Sequence, residues 1–324
     1  MKIFAMLLIV SCAFFAQAYA ESSANIKGSV KGNVKVKILT LDWTSQIVLS
    51  YVTGGLLEKK AIEVEYISSS STGQWYLLAN GLGNIQIESW PGTLGHRFNK
   101  LVQAGKLINA GQHGALGRED WWYPLYVKEL CPGLPDWRAL NNCAHLFSDD
   151  MDPDKGQYLA GPWLIRESAR IRALSLNYNV VKLDTGEQIL DRLKQAAKHK
   201  RPIMLYNWSP NWTDHSLVGE FVEFPPYDPL CITSPEWGVS DKWLWDCANP
   251  KDIILSKASS LSLPQLSPCA FAIVKAMEFT KQDFVDVASW VDLENMSYQA
   301  AAILWLNNNS QRWQPWINQP QHCR

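Results

Sequence analysis

The 324-residue sequence predicts an α/β fold: βα units arranged around a mostly parallel sheet. Two observations support this. Short apolar runs with strand periodicity alternate with longer amphipathic segments. The composition, 47% apolar and 19% charged, is that of a folded chain and excludes bulk disorder. A third feature bears on function: the chain holds 16 tryptophans, against about 4 to 5 for ordinary composition.

Along the chain, Val34, Val36 and Ile38 alternate with Lys35, Lys37 and Leu39 as a strand that runs into Leu41-Asp42-Trp43. A helix follows from Ser45 to about Lys60, with Ile47, Val48, Tyr51, Val52, Leu56 and Leu57 as its apolar positions. Residues 62–67 form the next strand. A helix over 74–80 is broken by Gly81-Leu82-Gly83. Ile85 and Ile87 mark a short strand that ends in Glu88-Ser89-Trp90-Pro91-Gly92. The run Arg118 to Pro124 reads as a crossover between lobes, and Gly161-Pro162-Trp163 as the opening of a helix through Arg170. Val180 to Leu183 is strand-like. Thr185 and Gln188 make a capping box for a helix to about Lys200. Residues 203–206 are a buried strand followed by Asn207-Trp208-Ser209-Pro210-Asn211-Trp212. The rest is a loop-rich stretch over 225–250, the segment 271–277, and helices near 281–290 and 295–307. No internal sequence repeat is visible.

The first twenty residues have the order of a secretory signal: Lys2, an apolar run from Ile3 to Phe15, then Ala18-Tyr19-Ala20. The rival reading, a lipoprotein site at Cys12, leaves a very short apolar core. Without the leader, six cysteines remain, an even number in an exported chain. Proximity favours the pairs Cys131–Cys143, Cys231–Cys247 and Cys269–Cys323. Metal-ligand spacings are missing, so neither a metal nor a cofactor is expected. With a net charge of −1, a nucleic acid partner is not expected either.

The positions of the tryptophans point to the chemistry. Ligands of open α/β sheets bind beyond the carboxyl ends of the strands. Trp43, Trp90 and Trp208 each follow a strand, and Trp121 and Trp122 stand in the expected crossover. A quaternary ammonium has no N–H to donate, and an indole face attracts it by about 0.5–2 kcal/mol per ring. Converging indoles therefore suit a methylated cation. Trp290, Trp305, Trp313 and Trp316 read as packing or surface. Trp237, Trp243 and Trp245 read as packing on the Cys231–Cys247 loop.

Four stretches carry a family resemblance: Leu41-Asp42-Trp43, Ile87-Glu88-Ser89-Trp90, Trp121-Trp122-Tyr123-Pro124, and Arg201-Pro202-Ile203 running into Trp208-Ser209-Pro210-Asn211-Trp212. Over residues 34–290 the chain resembles the glycine betaine/proline betaine/choline-type substrate-binding proteins of ABC importers. The resemblance implies a two-lobed periplasmic binding protein, type II-like, with two hinge crossings and its ligand in the interlobe cleft. Lobe 1 would hold 33–126 and 222–324, lobe 2 127–221. The aromatic box would be Trp43, Trp90, Trp121 and Trp208, with Trp122 or Tyr123 as substitutes for Trp121. A ligand carboxylate would meet backbone N–H groups near Thr44 and Ser45 or at Gly161 to Trp163. Glycine betaine is the first expected ligand, followed by choline, carnitine, trimethylamine N-oxide and dimethylsulfoniopropionate. An ABC permease and ATPase are the implied partners of a monomeric, periplasmic protein.

Two departures qualify the match. The family's histidine in W-x-P-H-W is Asn211 here. Thr44-Ser45 replaces the acid that choline binders place after the first tryptophan. Glu88 either faces the cation or caps its loop.

The competing classes are weaker. The six histidines show no paired spacing, and no nucleophile motif is present, so an enzyme is not expected. The acids Asp149, Asp150, Asp152 and Asp154 lack the glycine and glutamate of a calcium loop. The alternative is an exported Trp-rich sugar-binding or sensor protein.

Overall fold

The computed structural model describes residues 35–92, 95–163, 166–318 and 321–323. The expected leader, the Cys12 site and most of the segment before Val36 lie outside the described residues.

The sheet runs in the order β2-β1-β3-β9-β4-β7-β5-β6, with β8 on β4. Its strands are β1 (Val36–Thr40), β2 (Val64–Ser68), β3 (Ile85–Ser89), β4 (Ile108–Pro124), β5 (Gly156–Ala160), β6 (Tyr178–Lys182), β7 (Met204–Ser209), β8 (Gly219–Phe221) and β9 (Ile253–Ser259). β1 pairs in parallel with both β2 and β3, and β5 in parallel with both β6 and β7. Each triplet is therefore a parallel unit whose first strand is central. Helices α1 (Thr44–Glu58) and α2 (Gly73–Ala79) follow β1 and β2. After a further helix, α3 (Gly95–Gln103), the pattern recurs: α4 (Glu167–Ala173) and α5 (Gly186–Lys198) follow β5 and β6. The same topology thus occurs twice on a sequence with no visible repeat.

β4 joins the two units. Its first part pairs antiparallel with β9 as far as Gly117, and its second part pairs antiparallel with β7 from Arg118. Register shifts along the β9 side fall near Gly111, whose φ of 113° suits glycine. The run Arg118 to Pro124, expected as a crossover, is thus the second part of a strand. Its alternation is masked because both faces are covered: Trp121, Trp122 and Tyr123 are all buried. The helix expected from Gly161 begins at Glu167 instead, because β5 continues to Ala160 and the chain must first turn. Of the segment 271–277, residues 271–276 are helical, within α6 (Pro268–Ala276), and Met277 caps it.

The helices follow their sequence signals. In α1, Val48, Leu49, Val52, Leu56 and Leu57 are buried, and the helix starts at Trp43 in extended backbone geometry. Thr185 caps α5 by accepting from the Gln188 N–H, and Gln188 accepts from the Asp184 N–H. Helices α7 (Lys281–Asp292), α8 (Tyr298–Asn308) and α9 (Ser310–Asn318) complete the chain. α1 packs between them, with Trp305 buried and stacked on Trp316. All three expected disulfides are formed. Asp149 accepts from the backbone N–H groups of Met151 and Asp152, which makes the acidic run a capped turn.

One buried charge cluster ties the second unit to the return strand. Arg170 on α4 donates to Asp120 of β4 at 2.6 Å, to Glu167 at 3.1 Å, to the Cys247 carbonyl and to Asn249. Asn249 in turn donates its backbone N–H to Asp120. All three charged side chains are almost fully buried. Removing the cation strands two acids in a low-dielectric interior. Arg170→Met is therefore expected to lower unfolding free energy by roughly 3–5 kcal/mol, measured by urea denaturation.

Candidate functional site

The two parallel units place four indoles at equivalent points. Where the strand order reverses, the connections leave two adjacent carboxyl ends toward opposite faces of the sheet and open a crevice. In the first unit this crevice lies between β1 and β3, and in the second between β5 and β7. Trp43 follows β1, Trp90 follows β3, Trp163 follows β5, and Trp208 is near the end of β7.

In the first unit, the ring nitrogens of Trp43 and Trp90 donate to the same oxygen, Glu88 Oε1, at 2.6 and 2.9 Å. The Ser45 hydroxyl, in the first turn of α1, donates to that oxygen at 3.1 Å. Glu88 is completely buried, and its other oxygen, Oε2, has no hydrogen-bond partner among the described residues. Burial pushes the Glu88 carboxyl up to about 7, against the three bonds that favour its charged form. Glu88 thus fixes both rings by their N–H edges.

In the second unit, Trp163 and Trp208 meet edge to face with centroids 5.3 Å apart, and Tyr206 lies 5.3 Å from Trp163. The Tyr206 hydroxyl donates to Glu119, which is paired with Trp208 across the β4–β7 ladder. The units meet at these rings. Trp163 Nε1 donates to Asp42 Oδ1 at 3.0 Å, next to Trp43. Burial raises the Asp42 carboxyl in spite of that bond. Trp43 and Trp208 border one cleft of about 300 Å³, together with Asp42, Thr44, Gly186 and Asp292. On β4, Gly117 allows the Trp90 ring to approach: a Cβ there would stand 2.5 Å from Cζ3 of Trp90. Trp90 and Trp208 are thereby brought to residues two apart on one strand.

One corner of the expected box is packed into the core. Trp121 lies on antiparallel β4, not at the end of a parallel strand. It is fully buried, stacked on Tyr158 at 4.0 Å, and its ring nitrogen donates to Glu167. Trp122 and Tyr123 do not replace it. Trp122 is buried against Gly219 of β8, and the Tyr123 hydroxyl donates to Glu220 at 2.9 Å. Trp163, not among the expected box residues, stands against Trp208 and donates to Asp42. The strand-end rule that singled out Trp43, Trp90 and Trp208 applies to it equally, and it was missed because Gly156–Ala160 did not read as a strand.

The other expected contacts are engaged within the protein. Asn211 is buried, donates to Asn207 and accepts from the Trp212 N–H. The Thr44 hydroxyl donates to Asp292 at 2.8 Å. Since Trp121 packs the core, Trp121→Ala is expected to cost roughly 3–5 kcal/mol of stability, read from the shift of the denaturation midpoint at constant slope.

Residues 34–308 match the family described as the substrate-binding domain of the ABC-type glycine betaine transport system. A trimethylamine N-oxide-binding protein of Pelagibacter ubique (strain HTCC1062) is 34% identical over 305 residues, covering 91% of this chain and 94% of the relative. Among solved structures, a choline-binding protein in complex with choline superposes with a TM-score of 0.69 at 14% identity, covering 90% of this chain and 94% of that one. A glycine betaine/L-proline-binding protein from Borrelia burgdorferi gives 0.68 at 17% identity, covering 90% and 98%. Lactococcal OpuAC with glycine betaine gives 0.63 at 17% identity, covering 88% and 99%. At these identities the structures establish the α/β binding-protein fold. The family match extends over most of the chain, and with it this protein belongs to the substrate-binding domains of ABC-type glycine betaine transport systems, a family that binds its substrate rather than transforming it.

Proposed function

We propose that the chain captures a small methylated ammonium, with trimethylamine N-oxide as first ligand, between the indoles of Trp43, Trp90, Trp163 and Trp208. The observation that carries this is the placing of the four rings at the carboxyl ends of the strands flanking both crevices, with two ring edges fixed by Glu88 and one by Asp42. Rings held by their N–H edges present faces to the methyl groups at no further ordering cost.

Trimethylamine N-oxide moves ahead of glycine betaine for two reasons. The relative at 34% identity binds it by name. Most charged groups around the rings are also carboxyls: Glu88, Asp42, Glu119 and, at the cleft, Asp292, which shares its lining with Lys194. A ligand with a full carboxylate would need donors there, and Asn211, in the place of the family's histidine, is turned inward. Burial also pushes Asp292 up to about 6. The same aromatic arrangement supports the ammonium reading over sugar binding.

The two units act as lobes that close on the ligand, with β4 near Gly117 and Arg118 and the segment before β9 as the crossings. These lie at different places on the chain from the boundaries near Tyr126 and Val222 that the sequence suggests. Export through residues 1–20 to the periplasm, delivery to a membrane permease with its ATPase, and a monomeric state complete the proposal. Three disulfides fit such an oxidising compartment.

Calorimetric titration of the oxidised protein tests the ligand. Trimethylamine N-oxide, glycine betaine and choline would be compared with a neutral tert-butyl analogue. Binding of the ammonium compounds with silence for the neutral one is expected, and silence across the whole set in a folded protein would end the proposal. Trp163→Ala and Trp208→Ala are each expected to weaken binding at least tenfold, by loss of a desolvated ring face.

A further inference from the structure

A second cleft, of about 590 Å³, lies away from the strand ends and is lined by cations and indoles. Arg166, the N-cap of α4, and Arg172, in its last turn, reach it from one side. Lys242, Trp243 and Trp245 reach it from the loop closed by the Cys231–Cys247 disulfide. Each arginine lies over one indole. The Arg166 guanidinium is 4.0 Å from the ring centre of Trp245, and that of Arg172 is 4.5 Å from the ring centre of Trp243. Among the described residues the three cations form no ion pair, and no acidic side chain lines the cleft.

The loop that carries the indoles is held in place. The buried Arg170 donates to the Cys247 carbonyl, and the Trp245 N–H donates to the Cys231 carbonyl at 2.9 Å. Trp245 itself has a φ of 74°, a left-handed conformation that is unfavourable for so bulky a residue and persists only where its surroundings enforce it. The same loop exposes Leu230, Val239 and Trp243. Exposed tryptophan beside arginine is the composition that dominates the centre of protein interfaces.

We propose that this cleft docks an acidic segment of a second protein, with carboxylates on Arg166 and Arg172 and an apolar side chain against Trp243. Charge decides the class of partner. The chain as a whole carries −1, so three cations without counter-charges are a local excess. Stacking on an indole covers one face of a guanidinium and fixes its plane, and the N–H fork at the edge of that plane matches a carboxylate with two parallel bonds. An anionic membrane surface fits less well. Glu236 and Asp241, the chain neighbours of Pro235 and Lys242 at the cleft, are exposed on the same loop. A flat layer of negative charge would meet both acids, whereas a single peptide strand in the cleft passes them. The docking does not depend on which ligand is held at Trp43 and Trp208.

The test is titration of the oxidised protein with a fluorescein-labelled peptide of alternating glutamate and leucine, followed by anisotropy, with a lysine–leucine peptide as control. Saturable binding of the glutamate peptide alone is expected, weakening roughly tenfold between about 50 and about 300 mM salt. The double variant Arg166→Ala, Arg172→Ala is expected to bind roughly tenfold more weakly. Arg166→Lys with Arg172→Lys keeps the charge but loses the fork, and is expected to lose affinity by a similar factor. Both arginines are exposed, so each double variant keeps the wild-type denaturation midpoint.

Failure of the glutamate peptide to bind would overturn the assignment, as would unchanged affinity in either double variant. Displacement of the peptide by phosphatidylglycerol vesicles would overturn it in favour of a lipid surface. Self-association in sedimentation that the alanine variant abolishes would overturn it in favour of a second copy of this chain.

Discussion

The backbone of β4 is shared by two pairing partners, β9 along its first part and β7 along its second. That single strand fixes the distance and orientation between the two parallel units. Each unit has a central first strand, so each opens a crevice at the carboxyl ends of its strands. Between the units, Trp163 donates to Asp42, and Trp43 and Trp208 border one cleft. Gly117, where β4 changes partner, lets Trp90 lie against the strand. Two residues further on, Glu119 stands opposite Trp208.

Carboxyls hold the aromatic walls. Glu88 anchors Trp43 and Trp90, and Asp42 anchors Trp163 across the two units. An indole N–H has one bond to give, so anchoring it at the edge fixes the ring plane while leaving the face open. An indole face attracts a methylated cation through the quadrupole of the ring. The buried Arg170 serves another purpose. It is neutralised by Asp120 and Glu167 and binds α4 to β4 and to the chain leading into β9.

Much of this was readable in the residues. The strands β1, β3 and β7 and the helices α1 and α5 follow from alternation and capping, and the three disulfide pairs from proximity along the chain. Trp163 was hidden because Gly-Gln-Tyr-Leu-Ala has little strand character alone. It becomes a strand by pairing with both β6 and β7. Trp121 was misplaced because a strand covered on both faces, Trp121-Trp122-Tyr123, has no alternation to separate ring from core.

The sequence by itself determined the βα order and the cross-links, since periodicity and cysteine spacing are local properties. Only the tertiary structure decided which rings meet, where the chain crosses between units, and that Glu88 is left with one bonded and one unbonded oxygen. Those depend on long-range pairing of β4 with two different strands and on burial, and neither is encoded in any short stretch of residues.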